Sequence, residues 1–234
     1  MPTSLPGDRT VDAAPPATDA PRPAVDGPGV ARTGDEHPSG EPPAPRTVRR
    51  TTTDVALVAT FAAFVAACAI VPPIPTGTPV PITLQTFAVA VAGLVLGARR
   101  GFLAVLLYLA VGLAGVPVFA EMTGGLGVLG KPSVGYLLSF PVAAAVAGWL
   151  AGYALRAASR WRYPLLVAAG LGASFLVIHP AGIVGLMLRA DLTLPAAFGV
   201  DVVFWPGDVV KNLLAAGVTL AVLRAFPDLR RDRG

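Results

Sequence analysis

Six apolar segments follow one another after residue 50, and together they exclude a soluble fold. They cover about residues 54–71, 82–97, 101–118, 134–155, 164–188 and 207–226. A helix that crosses a bilayer needs about 20 mainly apolar residues, and the mean hydropathy of +0.66 is typical of chains built from such helices. The sequence therefore predicts an all-α integral membrane protein, a bundle of six transmembrane helices. The second segment is short, so an amphipathic or re-entrant placement stays open for it.

Composition divides the chain into three parts. Residues 1–50 are rich in Pro, Ala, Thr, Gly and Asp and contain almost no large apolar side chain. Such a segment cannot bury enough apolar surface to offset the entropy of ordering it, and it lacks the pattern of a secretory signal peptide. We therefore expect a disordered cytoplasmic tail over 1–50, a membrane domain over 51–228 and a basic cytoplasmic C-terminus over 229–234.

Basic residues orient the six predicted spans. Twelve Lys and Arg residues flank the predicted cytoplasmic ends of the spans, whereas the other three connections hold only Lys131 and Arg189. Because basic residues are retained on the cytoplasmic side, both termini are expected in the cytoplasm and the chain in the plasma membrane. The basic residues stand as short groups beside apolar runs, so nothing resembles a recognition helix for nucleic acid. The single cysteine, Cys68, excludes an internal disulfide and a multi-cysteine metal site.

Three connections on the predicted outer side have unusual compositions. The first, VPPIPTGTPVPITLQT, has five prolines and no charge, which favours stiff, extended backbone over helix. The second, PVFAEMTGGLGVLGKPSVGY, contains a Gly-rich stretch that permits close backbone approach. The third, DLTLPAAFGVDVVFWPGD, runs directly into the last span. The sequence therefore predicts Pro-rich and Gly-rich outer loops that converge on one face.

The sixth predicted span opens with a charged pair. Asp208 and Lys211 stand at i and i+3, so both project from one face of the helix. An ionisable residue inside a span is costly and by default indicates a functional site, and Asn212 adds a third polar group that favours a lined cavity. The alternative is a simple helix start, with Asp208 at the positive end of the helix dipole and Lys211 reaching the headgroups.

Other polar and aromatic side chains are candidates for the same cavity. Thr83 and Gln85 begin the second span, and Gln offers a donor and an acceptor that suit an amide-like or urea-like group. Gln85 equally fits a cap on a loop carbonyl. The aromatic residues that fit either a pocket wall or the interfacial belt are Phe119, Tyr136 and Trp205.

Catalytic and nucleotide-binding motifs are absent from the sequence. It contains no GxxxxGKS or GxxxxGKT, no GxSxG and no HExxH. We therefore expect no enzymatic activity, no metal and no cofactor. Any uphill transport must draw its energy from another subunit or from an ion gradient.

The first span carries a stripe of small residues. Ala59, Ala63 and Ala67 stand at four-residue spacing, which gives a flat surface against which another helix packs closely. The partner helix belongs either to another protein or to this chain.

Four stretches together resemble a known family. They are PPIPTGTPVPITLQT, LGARRGFLAVLLYLAVGLAGVPVFA, GGLGVLGKPSVGYLLSFP and FWPGDVVKNLLAA, in unbroken order within about residues 54–226. This series is similar to the BioY family, the biotin-binding membrane subunits of energy-coupling-factor (ECF) transporters. The family's PVPxTxQ and PGDxxK motifs correspond here to Pro79, Val80, Pro81, Thr83 and Gln85, and to Pro206, Gly207, Asp208 and Lys211. Where the family usually has GPTGGY, this chain has KPSVGY from Lys131 to Tyr136.

The resemblance implies a six-helix bundle with a biotin pocket towards the outer face, closed by the loop after the first span. It also implies a high-affinity, substrate-specific S component of an ATP-driven vitamin importer, which works with a transmembrane coupling protein and two cytoplasmic ATPases. The substrate-binding residues expected from the motifs and the pattern are Thr83, Gln85, Gly124, Gly125, Tyr136, Asp208, Lys211 and Asn212. The stripe of Ala59, Ala63 and Ala67 is the expected docking face for the coupling protein.

The chemistry of the candidate residues agrees with biotin. Asp208 can accept the ureido N–H groups, Lys211 can meet the ureido oxygen or the carboxylate tail, and aromatic walls can cover the bicycle. Which end of biotin each residue meets stays open. The alternative function is a self-sufficient secondary transporter of biotin or a similar small carboxylate, for which only His179 and the Asp208 pair lie deep enough to conduct an ion.

Overall fold

The computed structural model describes residues 46–231, with side chains for residues 51–230, and the regular structure of this part is helical. The helices are α1 (Arg46–Ile70), α2 (Gln85–Leu96), α3 (Ala98–Leu113), α4 (Val134–Arg156), α5 (Ser159–Ala173), α6 (His179–Arg189), α7 (Leu194–Val202), α8 (Trp205–Ala225) and α9 (Pro227–Arg231). Residues 46–231 contain no β-strand beyond isolated bridges. The predicted all-α class is confirmed for this part of the chain.

Four helical segments are long and apolar enough to cross a membrane. They are Thr51–Ile70, Val134–Arg156, Ser159–Arg189 and Trp205–Ala225. The segment Ser159–Arg189 combines α5 and α6, which a π-helical turn at Ser174–Ile178 joins end to end. Helix α2 is apolar but only 12 residues long, and α3 has 16 residues with Arg99 and Arg100 in its first turn. The membrane character is confirmed, whereas the count of six spans stays a prediction.

Helix α2 lies at the centre of the bundle. Ten of its 12 residues are buried, and it contacts α1, α3, α4, α5 and α8. Its length of about 18 Å is well short of the roughly 30 Å hydrocarbon core, yet its backbone is enclosed by protein and not by lipid. Gly93 permits a close contact with α4, because a Cβ there would collide with the backbone carbonyl of Ala144.

The Pro-rich connection 71–84 contains no helix and folds back on itself. Ile74 and Ile82 exchange two backbone hydrogen bonds, of 2.9 and 3.0 Å. The hydroxyls of Thr76 and Thr78 both donate to the carbonyl of Val80, at 3.0 and 2.9 Å. These side-chain bonds satisfy a backbone acceptor that the prolines cannot serve, since Pro has no N–H.

Several boundaries differ from the expectations. Helix α7 lies within the third outer connection, where we expected no separate helix; Pro195 near its start fits the first turn, since the N–H that Pro lacks has no partner there. Helix α3 ends at Leu113 and not near residue 118, because the chain turns at Gly115, whose φ is 110°. Helix α1 begins at Arg46, so 46–50 is helical although we placed it in the tail. Residues 1–45 of that predicted tail lie outside the described residues.

The π turn between α5 and α6 precedes a His-Pro pair. Pro180 cannot donate a backbone hydrogen bond, so the helix loses one of its regular i to i−4 bonds at this point. A wider turn over Ser174–Ile178 accommodates the loss, and such turns often occur at functional sites. The adjustment fixes the position of His179, the first residue of α6, whose side chain is buried.

Candidate functional site

A cavity of about 260 Å³ lies at the N-terminal ends of α2, α4 and α8. Its lining comes mainly from residues 79–86, residues 119–133, the first two turns of α4 and the start of α8. All three helices direct the positive ends of their dipoles towards this region. The cavity thus combines the Pro-rich connection, the Gly-rich connection and the charged opening of α8.

Three side chains form a closed polar triangle on the cavity wall. The Lys211 ammonium donates to Asp208 Oδ1 and to Thr86 Oγ1, each at 3.0 Å, and the Thr86 hydroxyl donates to Asp208 Oδ1 at 3.0 Å. The side chains of Lys211 and Asp208 are only 12% and 4% exposed. The pair is therefore largely removed from solvent, which argues against the interpretation of Lys211 as a headgroup-reaching residue.

A second polar pair continues the wall. The amide nitrogen of Gln85 donates to the hydroxyl of Tyr108 at 2.6 Å, and both side chains are buried. Thr83 Oγ1 donates to the amide oxygen of Gln85 at 3.3 Å. Gln85 therefore bonds to side chains, and capping a loop carbonyl is not its role here.

Aromatic rings provide the apolar part of the lining. Phe119, Tyr136, Phe140 and Phe204 all face the cavity. Tyr136 packs edge-on against Phe204 with ring centroids 5.8 Å apart. Edge-to-face contacts hold the ring planes in fixed orientations, so this side of the cavity offers a preformed apolar surface.

A buried polar layer lies directly behind these aromatic rings. The Asp201 carboxylate on α7 is fully buried and accepts from the Tyr136 hydroxyl at 2.8 Å and from the Trp205 indole N–H at 2.9 Å. His179 Nδ1 lies 2.8 Å from Asp201, and its Nε2 lies 3.4 Å from Asp208 Oδ2. Trp205 is therefore a partner of Asp201 and does not line the cavity.

The mouth of the cavity carries a second, more exposed charged pair. Lys131 Nζ lies 3.8 Å from Glu121 Oε2, with side chains 38% and 58% exposed, and 3.3 Å from Thr123 Oγ1. Glu121 and Met122 have φ angles of 60° and 54°, a left-handed conformation that is uncommon for residues other than glycine. This strained turn places Glu121 beside Lys131.

The structure brings together five of the eight predicted substrate-binding residues. Gly124 and Gly125 do not line the cavity, and the Gly125 N–H instead donates to the Gly112 carbonyl at 2.7 Å. Asn212 faces a much smaller cavity of about 10 Å³ and donates to the backbone carbonyl of Asp208 at 2.8 Å. Binding roles for all eight stay predictions. The five predicted residues that lie on the cavity wall are Thr83, Gln85, Tyr136, Asp208 and Lys211.

The small-residue stripe on α1 lies on the surface of the described chain. Ala59, Ala63 and Ala67 are all exposed, whereas Ala62 and Val65 on the opposite side of the helix are buried. The described residues thus leave the stripe uncovered, which disfavours the interpretation that it packs against the chain's own helices.

Sequence reasoning did not single out Asp201, Thr86 or Tyr108. Asp201 stands in the apolar stretch FGVDVVF, and the rule that an ionisable residue in a membrane segment indicates a functional site applies to it as well as to Asp208. Thr86 and Tyr108 gave no such signal, because their roles depend on contacts with distant residues. The contact of Thr86 spans 122 positions in the sequence, and that of Tyr108 spans 23.

Comparisons with known proteins agree on one family. The model of the BioY family matches residues 43–228. Two proteins named biotin transporter BioY, from Rhodobacter capsulatus and Rhizobium etli, are 38% and 37% identical to this chain over 193 and 180 residues. These alignments cover 77% and 75% of this chain and 98% and 96% of the relatives. The matches are to transport proteins, so the expectation that the chain is not an enzyme is confirmed.

A solved structure has the same fold. It is described as the S-component for biotin from an ECF-type ABC transporter, and it superposes with a TM-score of 0.67 over 75% of this chain and 93% of that one. The two sequences are 24% identical, so this match concerns the fold alone.

Proposed function

The chain belongs to the BioY family, and on that premise we propose that it binds biotin as the substrate-specific subunit of an ATP-driven ECF-type importer. The observation that carries the proposal is the buried triangle of Thr86, Asp208 and Lys211 on the wall of a cavity that also has an aromatic side. A site that combines an apolar wall with a few fixed polar groups is typical of small-molecule recognition.

The size of the cavity favours a small, compact ligand. Its volume of about 260 Å³ lies just below the range of roughly 300–1,000 Å³ usual for ligand pockets. Biotin is a fused bicycle with one flexible acid chain, so its rigid part fits between the aromatic rings while the chain extends to the mouth.

We place the ureido ring at the inner end of the cavity. One of its N–H groups can donate to Asp208, and its carbonyl can accept from Lys211. The carboxylate then reaches the mouth, where Lys131 provides a cation whose present contacts, with Glu121 at 3.8 Å and Thr123 at 3.3 Å, are long. This orientation gives Asp208, Lys211 and Lys131 each a ligand group of opposite character.

We also propose six membrane spans with both termini in the cytoplasm. Arg230 donates to the carbonyl of Leu155 at 3.0 Å, near the C-terminal end of α4, whereas the cavity lies at the N-terminal end of that helix. The basic residues around Leu155 therefore occupy the end of the bundle remote from the cavity. Because basic residues favour the cytoplasmic side, the cavity opens towards the outer side.

The exposed stripe of α1 is the proposed docking face for the coupling protein, which in turn joins the chain to two ATPases. Side chains no larger than a methyl group let two helices approach closely in lipid, where close packing drives association. The uncovered positions Ala59, Ala63 and Ala67 meet this requirement.

Isothermal titration of the purified protein tests the substrate. We expect biotin to bind, desthiobiotin to bind more weakly because it lacks the sulfur-containing ring, and lipoic acid to fail because it has no ureido group. Lipoic acid that bound as tightly as biotin would show that Asp208 and Lys211 do not recognise a ureido group.

Replacement of Ala63 by Leu tests the docking face. We expect Ala63→Leu to leave biotin affinity of the isolated protein nearly unchanged, since Ala63 does not line the cavity, but to abolish co-purification with the coupling protein and reduce uptake of radiolabelled biotin. Ala168→Leu is the matched control, because Ala168 is an exposed alanine on α5. Equal complex formation by both variants would reject the stripe as the docking face.

One observation favours a second candidate, secondary transport. Asp201, His179 and Asp208 form a continuous buried series of titratable groups, and such series conduct protons in some transporters. Uptake of biotin by the chain alone, in liposomes with an imposed proton gradient, would favour this candidate over the ATP-driven one.

A further inference from the structure

The buried carboxylate of Asp201 anchors His179. Asp201 is 0% exposed and His179 is 3% exposed, so neither exchanges its partner freely with water. The Tyr136 hydroxyl and the Trp205 indole donate to the two oxygens of Asp201 from the other sides. With hydrogen-bond partners from α4, α6 and α8 around it, this carboxylate holds the imidazole ring in one orientation.

The other edge of the imidazole faces Asp208. His179 Nε2 has no hydrogen bond that meets strict geometry among the described residues, and Asp208 Oδ2 lies 3.4 Å from it. A neutral imidazole has one N–H donor, yet both of its nitrogens here face carboxylate oxygens. An imidazole with an N–H on each nitrogen would donate to both carboxylates.

We propose that His179 is a positioning residue for ligand binding: it donates from Nε2 to Asp208 Oδ2 and thereby fixes the direction in which that carboxylate faces the cavity. A carboxylate offers about four acceptor sites. Thr86 and Lys211 occupy those of Oδ1, and His179 takes one of the two on Oδ2. One acceptor site remains for an N–H group of a ligand, and the substrate named here, biotin, rests on the proposed function.

Two variants of His179 separate positioning from structural support. The amide nitrogen of Gln reaches about as far as Nε2, whereas that of Asn reaches about as far as Nδ1. His179→Gln should therefore keep the donor to Asp208, and His179→Asn should keep only the donor to Asp201. We expect titration with biotin to give an affinity within about threefold of the parent for His179→Gln and a loss of roughly tenfold or more for His179→Asn.

Thermal unfolding of each variant, in detergent without ligand, shows whether a loss of affinity merely follows a loss of stability. Thr219→Val removes a buried hydrogen bond, 2.7 Å to Ala215, on the same helix as Asp208 but away from the cavity. It should lower the unfolding temperature while leaving biotin affinity unchanged. Equal affinity losses in His179→Gln and His179→Asn, or affinity that follows the unfolding temperature across all variants, would overturn the proposal. If His179→Asn does not fold, His179→Met, which has no donor, replaces it with the same expected loss.

A measurement that needs no ligand keeps the inference separate from the choice of substrate. A double-mutant cycle between His179→Met and Asp208→Asn, read by unfolding, should show coupling between the two side chains. If the two substitutions change the unfolding free energy additively, the contact between His179 and Asp208 is rejected even if biotin binds. A parent protein that shows this coupling but binds no biotin would reject the proposed function while leaving the contact established.

Discussion

Replacing Lys211 by Met removes one charge from the cavity wall while keeping most of the side-chain volume. The Lys211 ammonium now donates to Asp208 and Thr86, both at 3.0 Å. Without it, Oδ1 of Asp208 retains only the Thr86 hydroxyl, and a buried carboxylate loses its nearest cation. The variant therefore removes a ligand contact and also takes a cation away from Asp208, the neighbour that we expect to accept a ureido N–H group.

The burial of the pair sets the expected magnitude. Removing one partner of a buried, hydrogen-bonded charged contact between protein and ligand, here the proposed one from Lys211 to biotin, costs about 2–5 kcal/mol of binding free energy. Lys211 is 12% exposed and Asp208 is 4% exposed, so Lys211 keeps some contact with water and the lower half of that range applies. A cost of about 2–3 kcal/mol corresponds to a roughly 30- to 150-fold weaker Kd for biotin.

The assay is isothermal titration with biotin on detergent-purified protein, with size-exclusion chromatography as a check on folding. Arg224→Met is the control, because Arg224 is an exposed cation near the other end of α8 and does not line the cavity. We expect the control to bind as the parent does. A monodisperse Lys211→Met protein whose Kd stays within about threefold of the parent would refute the reasoning, since that change is under 1 kcal/mol.

Three further predictions concern other parts of the site and the topology. Lys131→Met should weaken biotin binding by roughly two- to fivefold, as expected for a partly exposed ion pair worth at most about 1 kcal/mol, yet leave the binding of biotin methyl ester unchanged in the same titration. Gly182→Ala should weaken biotin binding, because a Cβ at Gly182 would collide with the ring of Tyr136, which lines the cavity. Isothermal titration of variant and parent with the same fraction of folded protein tests this expectation. A fluorescent protein fused to the C-terminus should be bright and an alkaline phosphatase fusion there inactive, and the opposite result would reject the cytoplasmic terminus.

Local sequence signals predicted the helices well where those signals were strong. The predicted fourth span, 134–155, differs from α4 (Val134–Arg156) by one residue, because Pro132 and Gly130 end the preceding loop and an apolar run follows. The prolines of 71–84 likewise predicted a connection without helix. The apolar content of α7 gave no comparable signal, since a helix of nine residues is too short for a span and looks like a loop between two spans.

The polar network could be predicted only in part, because most of its bonds join distant residues. Asp208 and Lys211 are neighbours on one helix face, so their spacing alone indicated a pair. The bonds from Tyr136 and His179 to Asp201 join residues 65 and 22 positions apart. No periodicity in a single sequence contains that information, since it depends on how α4, α6 and α7 pack. The polar character of each residue was visible, but the identity of its partner was not.

The shortness of α2 explains why the cavity exists at this depth. In the six-span arrangement that we propose, a helix of 12 residues covers about 18 Å, so more than a third of a hydrocarbon core of roughly 30 Å is left to the non-helical connection before it. Non-helical backbone is tolerated at membrane depth only where protein encloses it or where it lines a cavity. Residues 79–83 do line the cavity, and Gln85 and Thr86 at the start of α2 present their side chains to the same space. A full-length second helix would fill that space with its own first turns. The late start of α2 and the polar cavity are therefore one structural feature.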